Sequence, residues 1–521
     1  MQNISEYKTS DKWWLFAALA FILFFHLGAA PIYILDEAKN AQCAREMLQR
    51  NDWVVPTFNE ELRTDKPVLH YYFMMVAYKI FGVNELAARF FSAVLGILTV
   101  GITYHFTKRF TTTLTAFCTA LVLLASTHFL FEFRLAVPDP YLIFFITAGL
   151  LTAFTYLQQN KFGYLLIAAA SFAFATLAKG PVALVLPGLC LLTWIVAKKK
   201  WKLVFTWKLI PALVLLATIT LPWYIAVDRT TNHAWTKGFF IEHNINRFSN
   251  PAEGHGGIFL ITILFVLIGL LPFSSYFGEV VKTRRLVFTN DLVKFSGIVV
   301  LAFVAFFSVS STKLPNYPMP CYPFAAIILG HYLSAIIKGE LRAGKYPVYI
   351  LLLLSIVTPA VVFFAIQEQK EIAALKPLAL LMLITPTCLL IIALIWKNST
   401  SYKRIVAIAL SYTLFNIVTL HFVYPRIYNQ NPVAKTLSIV KQHQQVYSYM
   451  LYNAAYNFYL DEPVKKIFNV DTLQAALKIN PSAIVISRAE NSADLQKLNL
   501  FKVAEHQDLF ELHTNVLYVS R

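Results

Sequence analysis

Apolar runs of membrane-crossing length recur along nearly the whole of this 521-residue chain. A spanning helix needs about 20 consecutive apolar residues. Thirteen such runs are present, at 13–31, 86–107, 111–130, 140–158, 162–178, 181–197, 208–227, 257–277, 293–311, 318–337, 346–366, 377–396 and 404–424. Lys179-Gly180 alone separates the fifth from the sixth. Only 14% of the residues are charged, against about 25% in soluble domains. The pattern predicts a mostly α, polytopic membrane protein with about thirteen transmembrane helices.

The formal net charge of +17 invites a nucleic-acid reading, but its distribution argues for topology. With the N-terminus inside and thirteen crossings, inside segments hold 20 Lys/Arg against 5 Asp/Glu, and outside segments 25 against 23. The excess sits in clusters such as Lys198-Lys199-Lys200, Lys282 with Arg284-Arg285, and Lys403-Arg404. That is the positive-inside bias, and it predicts a cytoplasmic N-terminus and no nucleic-acid partner. The first run ends in Gly28-Ala29-Ala30. It is longer than the apolar region of a signal peptide and reads as an uncleaved anchor. Five cysteines without a CxxC spacing give neither a disulfide framework nor a thiolate metal site.

Three outside segments are long enough to build a site: 32–85, 228–256 and 308–318. In the first, Asp36 to Arg50 has helical spacing, Trp53 to Pro56 reads as extended, and Pro67 to Phe81 as an amphipathic helix on the membrane surface. The second contains a helical stretch, Trp235 to Phe248, and the glycine-rich Glu253 to Gly257, read as mobile. Residues 1–427 form the membrane domain. Residues 428–521 are polar and read as a small outer α/β domain, with strands at 446–449, 466–470 and 483–487 and Asp471 as a helix cap.

Acidic residues at a membrane exit are costly unless they meet a cation, a metal or a water-filled cavity. Asp36 and Glu37 directly follow the first run. Asp36 is either a general base or a helix N-cap, and Glu37 a first-turn dipole partner or a support. Asp65-Lys66-Pro67 places a carboxylate and an ammonium at a helix start; Lys66 suits a lipid phosphate, and Asp65 either a divalent cation or Arg63. Asp139 closes Arg134-Leu-Ala-Val-Pro-Asp and needs a partner, a metal or Arg134. With His243 these carboxylates make a donor set for Mg²⁺, Mn²⁺ or Zn²⁺. Arg247, one helical turn after His243, joins Lys66, Lys313 and Tyr317 as a phosphate clamp. The alternatives are a belt aromatic for Tyr317 and snorkelling anchors for Lys313 and Lys179. No P-loop, GxGxxG, GxSxG or HExxH occurs, so no nucleotide cofactor is expected.

A chain of motifs then carries a resemblance. Leu35-Asp36-Glu37-Ala38, Ala44-Arg45-Glu46-Met47, Asp52 to Pro56, Lys66-Pro67 and Tyr71-Tyr72 are followed by Ala178-Lys179-Gly180-Pro181, Pro222-Trp223-Tyr224, His243-Asn244 with Arg247-Phe248, and Ser311 to Pro318. Over residues 13–425 the chain resembles the aminoarabinose transferases of lipid A modification. These belong to the GT-C glycosyltransferases, with the protein O-mannosyltransferases as relatives. The resemblance implies a GT-C fold and transfer of a sugar from undecaprenyl phosphate to lipid A or a related envelope glycolipid, by inverting displacement. It implies that Asp36, supported by Glu37, is the catalytic acidic position and that Lys66, Arg247, Tyr317 and Lys313 hold the lipid phosphate. Asp65, Asp139 and His243 would neighbour a divalent cation, Zn, Mg or Mn; Asp65 stands where that branch usually has Glu. It further implies a monomer in a bacterial inner membrane, with its site and C-terminal domain periplasmic. Asp36, Lys66, Arg247 and Tyr317 are expected to line one cavity. A protein O-glycosyltransferase and a lipid-linked-sugar flippase are the competing readings.

Overall fold

The computed structural model describes residues 10–246, 257–394, 399–509 and 513–520. The expected apolar runs fold as helix, but not all thirteen reach spanning length. Among the described residues nine helices are long and apolar enough to cross a membrane, or ten with one bent pair. The other three runs form short helices. The first, α1 (Asp11–Phe24), has 14 residues, about 21 Å at 1.5 Å per residue against a hydrocarbon core of about 30 Å. The run at 111–130 breaks into α5 (Thr113–Ala125) and α6 (Thr127–Glu132). At the break Ser126 is extended and its hydroxyl donates back to the Val122 carbonyl at 2.7 Å. The bent pair, Ile261–Gly269 and Phe273–Lys282, turns through 116° next to Pro272, which has no N–H to continue a helical ladder.

The segment after α1 folds as α2 (Leu35–Arg50), a hairpin of β1 (Thr57–Phe58) and β2 (Glu61–Leu62), and α3 (Leu69–Phe81). Asp36 is not an N-cap. The cap residue is Ile34, and Asp36 and Glu37 lie in the first turn, where carboxylates complement the helix dipole. Asn51 ends α2 in the left-handed region, φ 52°, and Asp52 turns the chain by accepting from the amides of Val54 and Val55. The hairpin turns on Asn59 and Glu60, both at positive φ, as a two-residue hairpin loop demands. α3 buries Leu69, Tyr71, Met74, Met75 and Tyr78 and leads into α4 (Glu85–Phe110), capped by the Asn84 side chain on the Ala87 amide at 2.9 Å.

The C-terminal region builds a five-stranded sheet with its own apolar core, in the order β4-β3-β5-β7-β6. β3 (Val446–Tyr449) pairs in parallel with β4 (Lys465–Ile467) and β5 (Ile484–Arg488), while β7 (Thr514–Val519) runs antiparallel to β5 and to β6 (Phe501–Gln507). The expected strands are present with shifted ends, and two more lie beyond them. The helix after β4 is capped by Asn469, which accepts from the Asp471 amide, so Asp471 is a first-turn residue and not the cap. This sheet domain is bolted to the first loop. Asn59 donates to the Val464 carbonyl and accepts from the Val464 amide, each at 2.9 Å, and takes the Asn457 amide at 2.5 Å. Arg45 reaches the Phe458 and Leu460 carbonyls and Asp461, and Tyr33 donates to Asp508. The five cysteines are free and mostly buried.

Candidate active site

Four chain segments converge beyond the helix ends on a cavity of about 230 Å³. Asp65 and Lys66 come from the loop before α3, and Lys179 from the last residue of α8 (Phe162–Lys179). His243 comes from a π-helical stretch, Gly238–Asn246, and Thr312 and Tyr317 from the turn after the helix Asp291–Val309. Phe239, Phe306 and Phe307 supply apolar walls.

Glycines let these segments meet. Gly180 sits at φ +86°, and a Cβ there would lie 2.5 Å from the Phe239 ring; only glycine accepts both demands. α8 therefore stops at Lys179 with its ammonium beside the cavity. At Gly238 a Cβ would fall 2.7 Å from the Thr64 hydroxyl, so the π-helical stretch closes directly on the loop that carries Asp65. Trp235 supports the same loop by donating its indole N–H to the Arg63 carbonyl at 2.9 Å.

Opposite charges are paired around the cavity. Lys179 Nζ lies 2.5 Å from Asp139 Oδ1 and 5.0 Å from the centre of the Tyr317 ring, a cation–π distance. Tyr317 packs on Phe307. His243 Nε2 is 3.2 Å from Asp65 Oδ1, and the buried Arg63 Nε is 3.6 Å from Asp65 Oδ2. Burial works against the Asp65 carboxylate, but Arg63, His243 and Lys66 overcome it and hold its pKa below the usual range. Asp65 is thus an anion already balanced by cations on several sides.

The expected residues sort accordingly. Asp65, Lys66, His243 and Tyr317 share the cavity. Asp36 does not line it; it is exposed on the first turn of α2 and acts on Arg63, which lies against Asp65. Lys313 lies just outside the lining, its ammonium donating to the Ser310 carbonyl at 2.6 Å. Arg247 lies outside the described residues, as does most of the glycine-rich Glu253–Gly257 stretch. Glu37 does not line the cavity either. Fully buried, it grips Arg89 through two bonds of 2.7 and 2.8 Å and accepts from the Ala136 amide.

The metal set is not assembled either. Asp139 is spent on Lys179, and among the described residues no three of His, Cys, Asp and Glu gather as a metal site. Asp65 and His243 alone stand side by side, a pair that would hold a divalent ion only with water or a ligand's phosphate completing its shell. Arg134 does not partner Asp139. Its guanidinium donates to backbone carbonyls at the end of α1, including Phe25 and His26 at 3.0 Å.

Residues 11–237 match the family model described as dolichyl-phosphate-mannose-protein mannosyltransferase. An uncharacterized protein of Aquifex aeolicus is 30% identical over 319 residues, 60% of this chain and 62% of that protein. An undecaprenyl phosphate-alpha-4-amino-4-deoxy-L-arabinose arabinosyl transferase of Yersinia pestis is 29% identical over 373 residues, 69% of this chain and 66% of the relative. The matched region thus spans less than two thirds of the length of these relatives. The crystal structure of ArnT from Cupriavidus metallidurans in the apo state superposes with a TM-score of 0.82, 22% identity and 98% coverage of both chains. The chain thus has the fold of that ArnT. The same ArnT bound to undecaprenyl phosphate superposes at 0.79.

Within this fold the sequence reading overlooked several pairings. Lys179 was read as an anchor, although a lysine between two apolar runs and next to Gly-Pro has no water to snorkel into, and that was the available signal. Arg89 was signalled the same way, as a lone charge inside the run at 86–107. The Arg63–Asp65 pair, one of the two expected alternatives, is present; the Asn40 side chain that also accepts from Arg63 had no sequence signal.

Proposed function

We propose that the protein is a membrane glycosyltransferase that moves a sugar from undecaprenyl phosphate to lipid A or a related envelope glycolipid at the periplasmic face. One observation carries this reading: two lysine ammoniums and a tyrosine converge on an aromatic-walled cavity at the ends of the helices. Such a cavity suits a phosphate on an isoprenoid chain, because point cations hold the phosphate and the phenyl walls take the first prenyl units. The relatives named for an undecaprenyl phosphate sugar donor, and the family model named for a polyprenyl-phosphate donor, support it.

The reaction follows as a displacement. The acceptor oxygen attacks the anomeric carbon while the bond from that carbon to the lipid phosphate breaks, and the phosphate leaves with the electron pair. Lys66 and Lys179 offset its developing charge. Asp36, exposed near the Arg63–Asp65 side of the cavity, takes the proton of the acceptor hydroxyl. Attack opposite the leaving group inverts the anomeric centre.

The test is full-length protein in liposomes with labelled undecaprenyl-phosphate sugar and lipid A. Label on lipid A, lost in Asp36→Asn by about 10²-fold or more, is the expected result. Label on protein instead points to O-glycosylation. Movement of the lipid across the bilayer with no covalent transfer overturns the enzyme reading in favour of a flippase, and full activity of Asp36→Asn overturns the base assignment.

A further inference from the structure

A second cavity, of about 550 Å³, shares the 312–317 turn with the first. Pro315 and Asn316 line the second cavity, Thr312 and Tyr317 the first, so neighbouring residues of one turn contribute to both. The second cavity is almost wholly apolar, lined by Phe131, Phe265, Ile268 and Gly269, with His128, Glu132 and Asn316 as its polar members. Its shape depends on Gly269, where a Cβ would lie 1.9 Å from the Tyr322 hydroxyl and 2.9 Å from His128 Nδ1.

Glu132 is the anomaly. It is 4% exposed, and its Oε1 is buried with no hydrogen-bond partner among the described residues. Within electrostatic range are Asp139, Lys179, Asp36 and Glu37, which places it beside both the Lys179 pair and the proposed base. His128, one turn earlier, is already engaged with the Tyr322 hydroxyl at 3.0 Å. A buried carboxyl oxygen left without a donor costs about 1–3 kcal/mol or more. In a cavity of this size, its natural complement is a ligand bearing hydroxyl or ammonium protons.

We propose that this cavity seats the sugar ring of the lipid-linked donor, with Glu132 and Asn316 as the residues that recognise its polar groups. The inference rests on the donor reading above. The phosphate lies against Lys66, Lys179 and Tyr317, the ring lies alongside the 312–317 turn that both cavities share, and its hydroxyl or amino protons meet Glu132 Oε1. Glu132 is then a specificity-determining residue and takes no part in proton transfer. Its contacts also turn the anomeric carbon toward Asp36.

The test compares two probes on full-length protein: undecaprenyl phosphate without sugar, and undecaprenyl phosphate 4-amino-4-deoxy-L-arabinose. Glu132→Ala and Asn316→Ala are measured separately, each checked for an unchanged thermal midpoint. Wild type is expected to bind the sugar-bearing lipid more tightly than the bare phosphate. Each variant is expected to keep its affinity for the bare phosphate within about twofold and to lose about tenfold or more for the sugar-bearing lipid, as leaving a buried polar group of the ligand unpaired implies. Glu132→Asp should recover part of that loss. Equal affinity of wild type for both probes, variants that weaken both probes alike, or variants that weaken neither would each overturn the sugar subsite while leaving the phosphate reading in place. Failure of wild type to bind the bare phosphate would overturn the phosphate reading and this inference with it.

Discussion

Neighbouring residues with the same charge have opposite fates here. Asp36 faces solvent and Glu37 faces the core, because a 100° step along the first turn of α2 turns one outward and the next inward. Glu37 and Arg89 form a fully buried, doubly bonded pair. Removing one partner of such a pair strands a charge in a place water cannot reach, at a cost of about 3–5 kcal/mol. Glu37→Ala should therefore lower the yield and thermal midpoint of folded protein, whereas Asp36→Asn should leave both unchanged and abolish transfer. Thermal unfolding in detergent, read beside transferase activity, separates the two. Wild-type stability of Glu37→Ala would mean that the pair is not what anchors α2. In the sequence the adjacent acids look alike. What distinguishes them is Arg89, 52 positions away, and no local pattern reports that.

Among the elements, α8 matters most for its end. Its stop at Lys179 depends on Gly180, which satisfies a left-handed backbone and the closeness of Phe239 together. Gly180→Ala meets both obstacles. It should destabilise by about 1–3 kcal/mol through backbone strain and shift the Lys179 ammonium off Asp139. The measurement is affinity for undecaprenyl phosphate, expected to fall along with the thermal midpoint; full affinity would show that the helix end tolerates a side chain. The elements themselves were largely legible. Long unbroken apolar runs identify helices because lipid leaves backbone groups no other partner. Their breaks were not, since Ser126 and Pro272 interrupt runs whose composition stays apolar on both sides. The cavity was half legible. Asp65, Lys66, His243 and Tyr317 carry charge or a hydroxyl at loop positions where sequence reasoning looks. The pairing of Asp139 was not legible, because Lys179 lies 40 residues on, at the far end of the next helix.

For the whole molecule, the sheet domain and the first loop behave as one body. Asn59 ties the hairpin to Val464 and Asn457, and Arg45 ties α2 to the stretch around Phe458 and Leu460. Asn59→Ala strips three hydrogen bonds from a buried position, about 1–3 kcal/mol. It should speed protease cleavage between residues 428 and 465 while leaving the helices intact. Limited proteolysis followed by mass spectrometry reads this directly; an unchanged cleavage rate would show that the domain is held elsewhere. Composition predicted a domain of this size but not its attachment, because the bonds run between residues some 400 positions apart.

Lys179 reaches the cavity already neutralised by Asp139. A guest anion must share that ammonium with a resident carboxylate, so it is held less firmly than by a bare lysine. On the proposed reading, a departing carrier lipid leaves the Lys179 ammonium still paired with Asp139 in the cavity wall. The chain has given up some depth of grip in return for an easier exit.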